Sequence, residues 1–240
     1  LLHQRLENPQ PGRYWVARNG DETAGVLFQS PLDFTATLTP MAADVVTAVV
    51  DAVVDSGAEL PGVSGEAAAA AKFAGQWTER TKSAAEPQMG MRIYEAEGVR
   101  KPDNVGGHMR QATMDDRDLV ITWLRAFHVD IGQHGHDLAA NVDRRLPAGL
   151  YRIWEDGEPV SIARYVKPVE GVVRIGAVYT PPEHRRRGYA GACVAELTGQ
   201  ILDQGYRPIL YTDLGNPVSN SIYRRMGYRA VAENLQYKFA

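Results

Sequence analysis

The stretch that decides the fold runs Gly176-Ala177-Val178-Tyr179-Thr180-Pro181-Pro182-Glu183-His184-Arg185-Arg186-Arg187-Gly188-Tyr189-Ala190-Gly191. An apolar strand ends at a proline pair, a basic loop follows, and small residues open a helix. Such a junction gathers backbone N–H groups at one point, with the positive end of the helix dipole behind them. Gly188, Ala190 and Gly191 leave that backbone uncovered. Arg185, Arg186 and Arg187 ring it with charge. The fitting guest is a phosphate or pyrophosphate. An arginine run by itself also reads as a solvated surface. The loop lacks the Gly-Lys-Ser/Thr ending of a Walker A sequence and the three spaced glycines of a dinucleotide fingerprint.

A second segment lies downstream: Asn216-Pro217-Val218-Ser219-Asn220-Ser221-Ile222-Tyr223-Arg224-Arg225-Met226-Gly227-Tyr228. Asn216 is an N-cap candidate, Pro217 suits the first turn, and Gly227 stops the helix. Together the two segments resemble the GCN5-related N-acetyltransferase family. Arg185 to Ala190 resembles its Arg/Gln-x-x-Gly-x-Gly/Ala pyrophosphate loop, with Ala190 in place of the commoner glycine. Asn216 to Tyr228 resembles its Asn-x-x-Ala/Ser-x-x-hydrophobic-Tyr-x-x-x-Gly-Phe/Tyr segment. The resemblance covers about residues 108–240, with its specific motifs within 176–228. It extends to a bacterial subgroup in which a degenerate copy of the fold precedes the active domain.

That resemblance implies acetyl-CoA as cosubstrate and an amine acceptor, either a small molecule or a protein amino group. Val178, Tyr179 and Thr180 would hold the pantetheine arm, with a backbone N–H of Val178 or Tyr179 facing the oxyanion. Arg185, Arg186, Arg187, Gly188, Tyr189, Ala190 and Gly191 would hold the pyrophosphate. Asn216 and Ser219 would bond the cofactor arm or cap the helix, and Tyr223 would be the general acid. Tyr223 could equally pack beside Ile222 and Met226. Two other readings stand beside this one: a non-catalytic acyl-CoA-binding regulatory module, and a transferase of a longer acyl group. The general base is open among Asp130, His134, His136, Glu183, Asp213 and a water relay. His128, Asp130, His134 and His136 fall in a polar stretch that suits an acceptor cleft or an ordinary loop. They match no known metal-ligand spacing, so no metal is expected. Cys193, Tyr211 and Tyr228 read as packing residues.

Outward from these motifs the chain alternates strands and helices. Tyr151–Trp154, Val160–Val166 and Val172–Thr180 read as strands, Tyr189–Gln204 as a helix, Ile209–Asp213 as a strand, Pro217–Met226 as a helix and Tyr228–Phe239 as a strand. Asp115–Phe127 reads as a helix and 128–141 as irregular. The first half offers strands at Tyr14–Arg18, Gly25–Gln29 and Phe34–Thr39, a helix at Ala42–Ser56, a short extended piece at Leu60–Val63, a helix at Glu66–Lys82 and a strand at Met89–Tyr94. The order of three strands, helix, strand, helix, strand therefore occurs twice. The expected class is α/β with a mixed, mostly antiparallel sheet, in two tandem copies. A glycine- and proline-containing linker at 97–107 sets the expected domains at 1–105 and 106–240. The first copy has no arginine loop. Thr39-Pro40-Met41-Ala42-Ala43-Asp44 stands at that junction, and its acid would repel a pyrophosphate. The first copy is thus expected to support the second or shape its acceptor entrance.

The bulk numbers agree with an ordinary globular protein of 240 residues: 44% hydrophobic, 23% charged, formal charge -3. No broad basic field argues for nucleic acid. One cysteine excludes an intramolecular disulfide. No apolar run suits a bilayer, and Leu1-Leu2-His3-Gln4 is not a signal peptide. The lack of an initiating Met points to a fragment. A cytoplasmic location, as monomer or homodimer, is the expectation.

Overall fold

The computed structural model describes residues 11–132 and 137–240. It divides into two compact units, each built from more than one stretch of chain. The first takes residues up to 93 with 213–216 and 231–240; the second takes 94–212 and 217–230. The expected boundary at 105 is thereby corrected. Tyr94 and Ala96 are buried in the core of the second unit, so the chain changes unit between Ile93 and Tyr94.

In the first unit the order is β1 (Arg13–Asn19), β2 (Glu22–Gln29), β3 (Ala36–Leu38), α1 (Ala43–Asp55), β4 (Gly62–Glu66), α2 (Ala67–Thr81), β5 (Ala85–Pro87) and the start of β6 (Met91–Glu95). β1, β2 and β3 are antiparallel neighbours. β3 and β4 are parallel, with Ala36 opposite Val63 and Thr37 opposite Ser64, and α1 makes the crossover. The valine pairs of α1 favour strand by intrinsic preference. Their four-residue spacing decides otherwise, because Val46, Val49, Val50 and Val53 all reach the core formed with Leu27, Leu38, Val63 and Phe73. Glu66 caps α2 by accepting from the N–H groups of Ala68 and Ala69. The last strand of the chain, β12 (Arg229–Phe239), pairs with β4 and β5.

The second unit contains β7 (His108–Gln111), α3 (Arg117–Asp130), α4 (Leu138–Arg145), β8 (Tyr151–Glu155), β9 (Pro159–Tyr165), β10 (Val172–Tyr179), α5 (Tyr189–Asp203), β11 (Arg207–Asp213) and α6 (Pro217–Arg225). β7, β8, β9 and β10 follow one another antiparallel, and β10 pairs with β11 in parallel. One face of this sheet carries α5 and α6 over Val173, Ile175, Val194, Leu197 and Leu210. The other carries α3 and α4 over Val120, Leu124, Val142, Ile153 and Ile162. The result is the expected mixed, mostly antiparallel sheet with flanking helices. α4 and β5 were not foreseen. Among the described residues no helix is long and apolar enough to cross a membrane.

Candidate cofactor-binding site

The site begins where two parallel strands part. β10 and β11 pair from Val172 opposite Arg207 to Ile175 opposite Leu210. The pairing stops there, although both strands run on. On its other side β10 slips register against β9 between Gly176 and Tyr179. Ala177 takes a left-handed φ of 48°, unusual for a residue with a Cβ. An extra residue in one strand bends it and raises its twist, which carries β10 away from its neighbour. The space above Gly176 is open: a Cβ placed there would meet nothing within 4 Å.

The three residues after Ala177 divide their duties. Val178 packs on the core under α5, and Tyr179 is buried in the core under α3 with its ring 6.5 Å from Trp123. The Ser161 hydroxyl donates to the Tyr179 carbonyl at 3.0 Å and lies 2.9 Å from the Thr180 hydroxyl. The Thr180 side chain is therefore tied down, so what this segment offers a ligand is chiefly backbone.

The basic loop starts with one tight turn at Pro182–His184. Arg185 then folds back on it. Its Nε donates to the Thr180 carbonyl at 2.9 Å, and its terminal nitrogen donates to Asp130 at 2.6 Å. The guanidinium also lies over the Tyr179 ring, 5.7 Å from its centre. Arg185 thus braces the loop. Arg186 and Arg187 are exposed. Arg186 and Gly188 are left-handed, at φ 65° and 87°. Gly188 is required twice over, because a Cβ there would also lie 2.8 Å from Val105.

α5 opens without a side-chain cap. Its first backbone bond runs from the Ala192 N–H to the Gly188 carbonyl, so the N–H groups of Tyr189, Ala190 and Gly191 have no acceptor within the helix. The Tyr189 side chain is turned into the core, where its hydroxyl donates to Asp156 at 2.6 Å. Tyr189, Ala190 and Gly191 thus present main-chain N–H groups at the start of α5, and Asp156 is a partner of Tyr189 that the sequence does not reveal.

On α6, half-buried Tyr223 packs against the same core as Val178 and Tyr189, its ring edge-on to Tyr228 at 5.8 Å. Burial pushes the Tyr223 phenol up to about 12, with the nearby Cys193 adding to the shift. Cys193 is fully buried, and its thiol is likewise pushed up to about 12 by burial, which suits a packing role. Tyr228 is buried with its hydroxyl 2.6 Å from that of Thr198. Tyr211, expected to pack, is instead 41% exposed, with the Arg174 guanidinium 5.4 Å from its ring centre.

Asn216 is exposed in the turn before α6, where its N–H reaches the Asp213 carbonyl at 3.1 Å; Ser219 is half-buried in the first turn. The residue that sequence reasoning passed over is Asn220. It is buried, and its Oδ1 accepts from the Tyr94 hydroxyl at 3.0 Å and from Thr212 at 2.9 Å. Its position two turns before Gly227, on the apolar side of α6, was the available signal.

The base candidates fare unequally. Asp130 is committed to Arg185. Glu183 is exposed, and Asp213 accepts from the Gly215 N–H at 2.8 Å. His128 bonds the Leu124 carbonyl one turn back through Nδ1. His134 and His136 lie outside the described residues. Among the described residues no group of histidine, cysteine and carboxylate side chains is arranged to hold a metal.

Residues 160–237 match the model of a family described as FR47-like protein. The fold of the whole chain is similar to that of several solved structures. One is described as an acetyltransferase of the GNAT family from Colwellia psychrerythraea: 12% identity, TM-score 0.66, covering 95% of this chain and 85% of that one. A GCN5-related N-acetyltransferase from Kribbella flavida is 18% identical, with a TM-score of 0.61 and coverage of 99% and 92%. One from Sphaerobacter thermophilus is 15% identical, with a TM-score of 0.62 and coverage of 91% and 77%. A search of curated proteins gave no match.

Proposed function

We propose that the chain, whose residues 160–237 match the FR47-like family and whose fold is similar to that of GNAT acetyltransferases, is a GCN5-related N-acetyltransferase that moves an acetyl group from acetyl-CoA to an amine. The observation that carries the reading is the parting of β10 from β11 after Ile175 and Leu210, with unpaired helix N–H groups beyond it. The pyrophosphate sits on the N–H groups of Gly188 to Gly191, flanked by Arg186 and Arg187. The pantetheine arm follows β10 into the gap.

The neutral amine attacks the thioester carbonyl, the carbon–sulfur bond breaks, and the amine proton leaves to water or a base. A backbone N–H at Val178 or Tyr179 steadies the developing oxyanion, a contribution of roughly 3–4 kcal/mol for one donor. Tyr223 gives its proton to the departing thiolate, and its raised pKa keeps the phenol protonated until then. Asn216 and Ser219 bond the cofactor arm.

The first unit is, on this reading, a copy that does not bind. Two observations support it. A Cβ on Gly65 would lie 2.6 Å from the Leu38 side chain and 2.8 Å from its carbonyl, so β3 and β4 stay in contact where β10 and β11 part. The first turn of α1 carries Asp44 and no basic residue. The work is placed in the cytoplasm, as monomer or homodimer.

The test is thiol release from acetyl-CoA over a panel of amines, beside calorimetry with CoA. Binding without release for any amine favours an acyl-CoA-binding regulatory module. Faster release from longer acyl-CoAs favours a different acyl group. No binding at all sinks the reading.

A further inference from the structure

Arg164 is a half-buried cation that, among the described residues, has no counter-ion. It lies on β9 between Gly176 of β10 and Tyr151 of β8, directly paired with each. Paired residues share a face of the sheet, so the three stand together on the face that carries α3 and α4. Arg174 precedes Gly176 by two residues and shares that face, since its neighbours Val173 and Ile175 pack on the opposite side. Arg145, half-buried at the last position of α4, is near enough to add its repulsion to Arg164. Among the described residues none of the three guanidinium groups has an ion pair or a hydrogen-bond acceptor; Arg174 rests only on the Tyr211 ring. Tyr151 is 0% exposed, and its hydroxyl has no hydrogen-bond partner.

This arrangement is costly as it stands. Buried polar groups nearly always find partners, and like charges gathered without an anion repel. Burial first, then repulsion from Arg145 and Arg174, draws the Arg164 guanidinium down to about 10, which still leaves it charged at neutral pH. The cluster adjoins Gly176, the last residue before the bulge, where the space is open. Val178 lies only two residues on, a span of at most about 7 Å.

We propose that this cluster receives an anionic group, carboxylate or phosphate, carried by the amine that accepts the acetyl group. Arg164 holds the anion through its planar fork, Arg145 and Arg174 flank it, and the Tyr151 hydroxyl donates to it. The short span to Val178 makes the acceptor small, with amine and anion a few bonds apart. The proposal rests on the transferase reading of the splayed strand and names its acceptor class.

The experiment is an acceptor panel assayed by thiol release: amino acids, their methyl esters and amides, and small aminoalkyl phosphates. The expected result is a preference of at least about tenfold in kcat/KM for an anionic amine over its neutral counterpart, expressed in KM. Carboxylate and phosphate arms identify which anion is preferred. In Arg164→Gln the preference collapses while the KM for acetyl-CoA stays as in wild type, and Arg164→Lys recovers part of it. In parallel, acetate and phosphate raise the Tm of the wild-type chain and not of Arg164→Gln. Equal turnover of neutral and anionic amines overturns the site and leaves the transferase reading intact. No turnover with any amine, beside an Arg164-dependent rise in Tm, keeps the anion site and removes the transferase. Neither turnover nor a rise in Tm removes both.

Discussion

Arg185 reaches from the loop before α5 to Asp130, the last residue of α3, and bonds its carboxylate at 2.6 Å. Both side chains are a little under half exposed, at 44% and 45%. An ion pair this open contributes roughly 0–1 kcal/mol to stability, so its value lies in fixing the loop. Arg185→Ala and Asp130→Ala are each expected to raise the KM for acetyl-CoA a few-fold with little change in Tm. The double variant should be no worse than either single one, because both remove the same brace. Acetyl-CoA titrations of all four chains check this. Additive losses would mean that the two residues act separately.

Tyr223 makes a sharper prediction. Its phenol is pushed up to about 12 by burial, so it remains protonated across any ordinary assay range. The rate should therefore show no loss of an acid as pH rises to about 9, and any limb seen at lower pH belongs to the amine or its base. Tyr223→Phe keeps the ring against Tyr228 and deletes only the hydroxyl. Turnover should fall by about 10²-fold or more with acetyl-CoA affinity nearly unchanged. A turnover number equal to wild type removes Tyr223 from the acid role.

The parts of the site that were readable in the sequence are those whose chemistry is local. Arg185 to Gly191 sit on consecutive positions, and a strand, a proline pair and small residues announce the turn without any partner. Tyr223 is legible for the same reason, seven residues after Asn216 on one short helix. What was not readable depends on pairing between distant strands. The left-handed Ala177 carries no mark, because nothing in an alanine requests a positive φ. Arg145, Arg164 and Arg174 are scattered among ordinary charged residues, and only the register of β8, β9 and β10 brings Arg164 beside Tyr151 and Gly176. Arg185 was grouped with its two neighbours as a phosphate contact, since the sequence does not show that Asp130 faces it. The helix α4 was missed because Leu138–Arg145 offers a weak apolar stripe, with Val142 its one buried residue.

Stoichiometry separates the two units. The second should bind one acetyl-CoA per chain by calorimetry. Arg187→Glu reverses the charge beside the unpaired N–H groups of α5 and should weaken that binding at least about tenfold, because charge-assisted bonds to phosphate are among the strongest polar contacts. The first unit should contribute nothing, since Leu38 fills the place beside Gly65. Two equivalents of acetyl-CoA per chain would overturn that asymmetry.

The last prediction concerns stability and pH. Asp116 is 9% exposed and accepts from both terminal nitrogens of Arg110 at 2.8 Å, and from the Thr113 N–H at 2.8 Å. Arg110 also bonds Glu155, which joins this turn to β8. The Arg110 hydrogen bond is the main reason that the Asp116 carboxyl sits below its ordinary value; burial opposes it, and the Thr113 N–H adds to the lowering. A carboxyl lowered on folding stabilises the native state above its unfolded pKa of about 4. That stabilisation fades as pH falls through the lower, folded value, because the unfolded chain then takes up the proton first. Asp116→Asn should cost about 2 kcal/mol at pH 7 in urea unfolding, the scale of a hydrogen bond to a charged group. The difference between variant and wild type should shrink steadily below about pH 4. A gap that stays constant down to pH 2 would show that shape, and not charge, sets the role of Asp116.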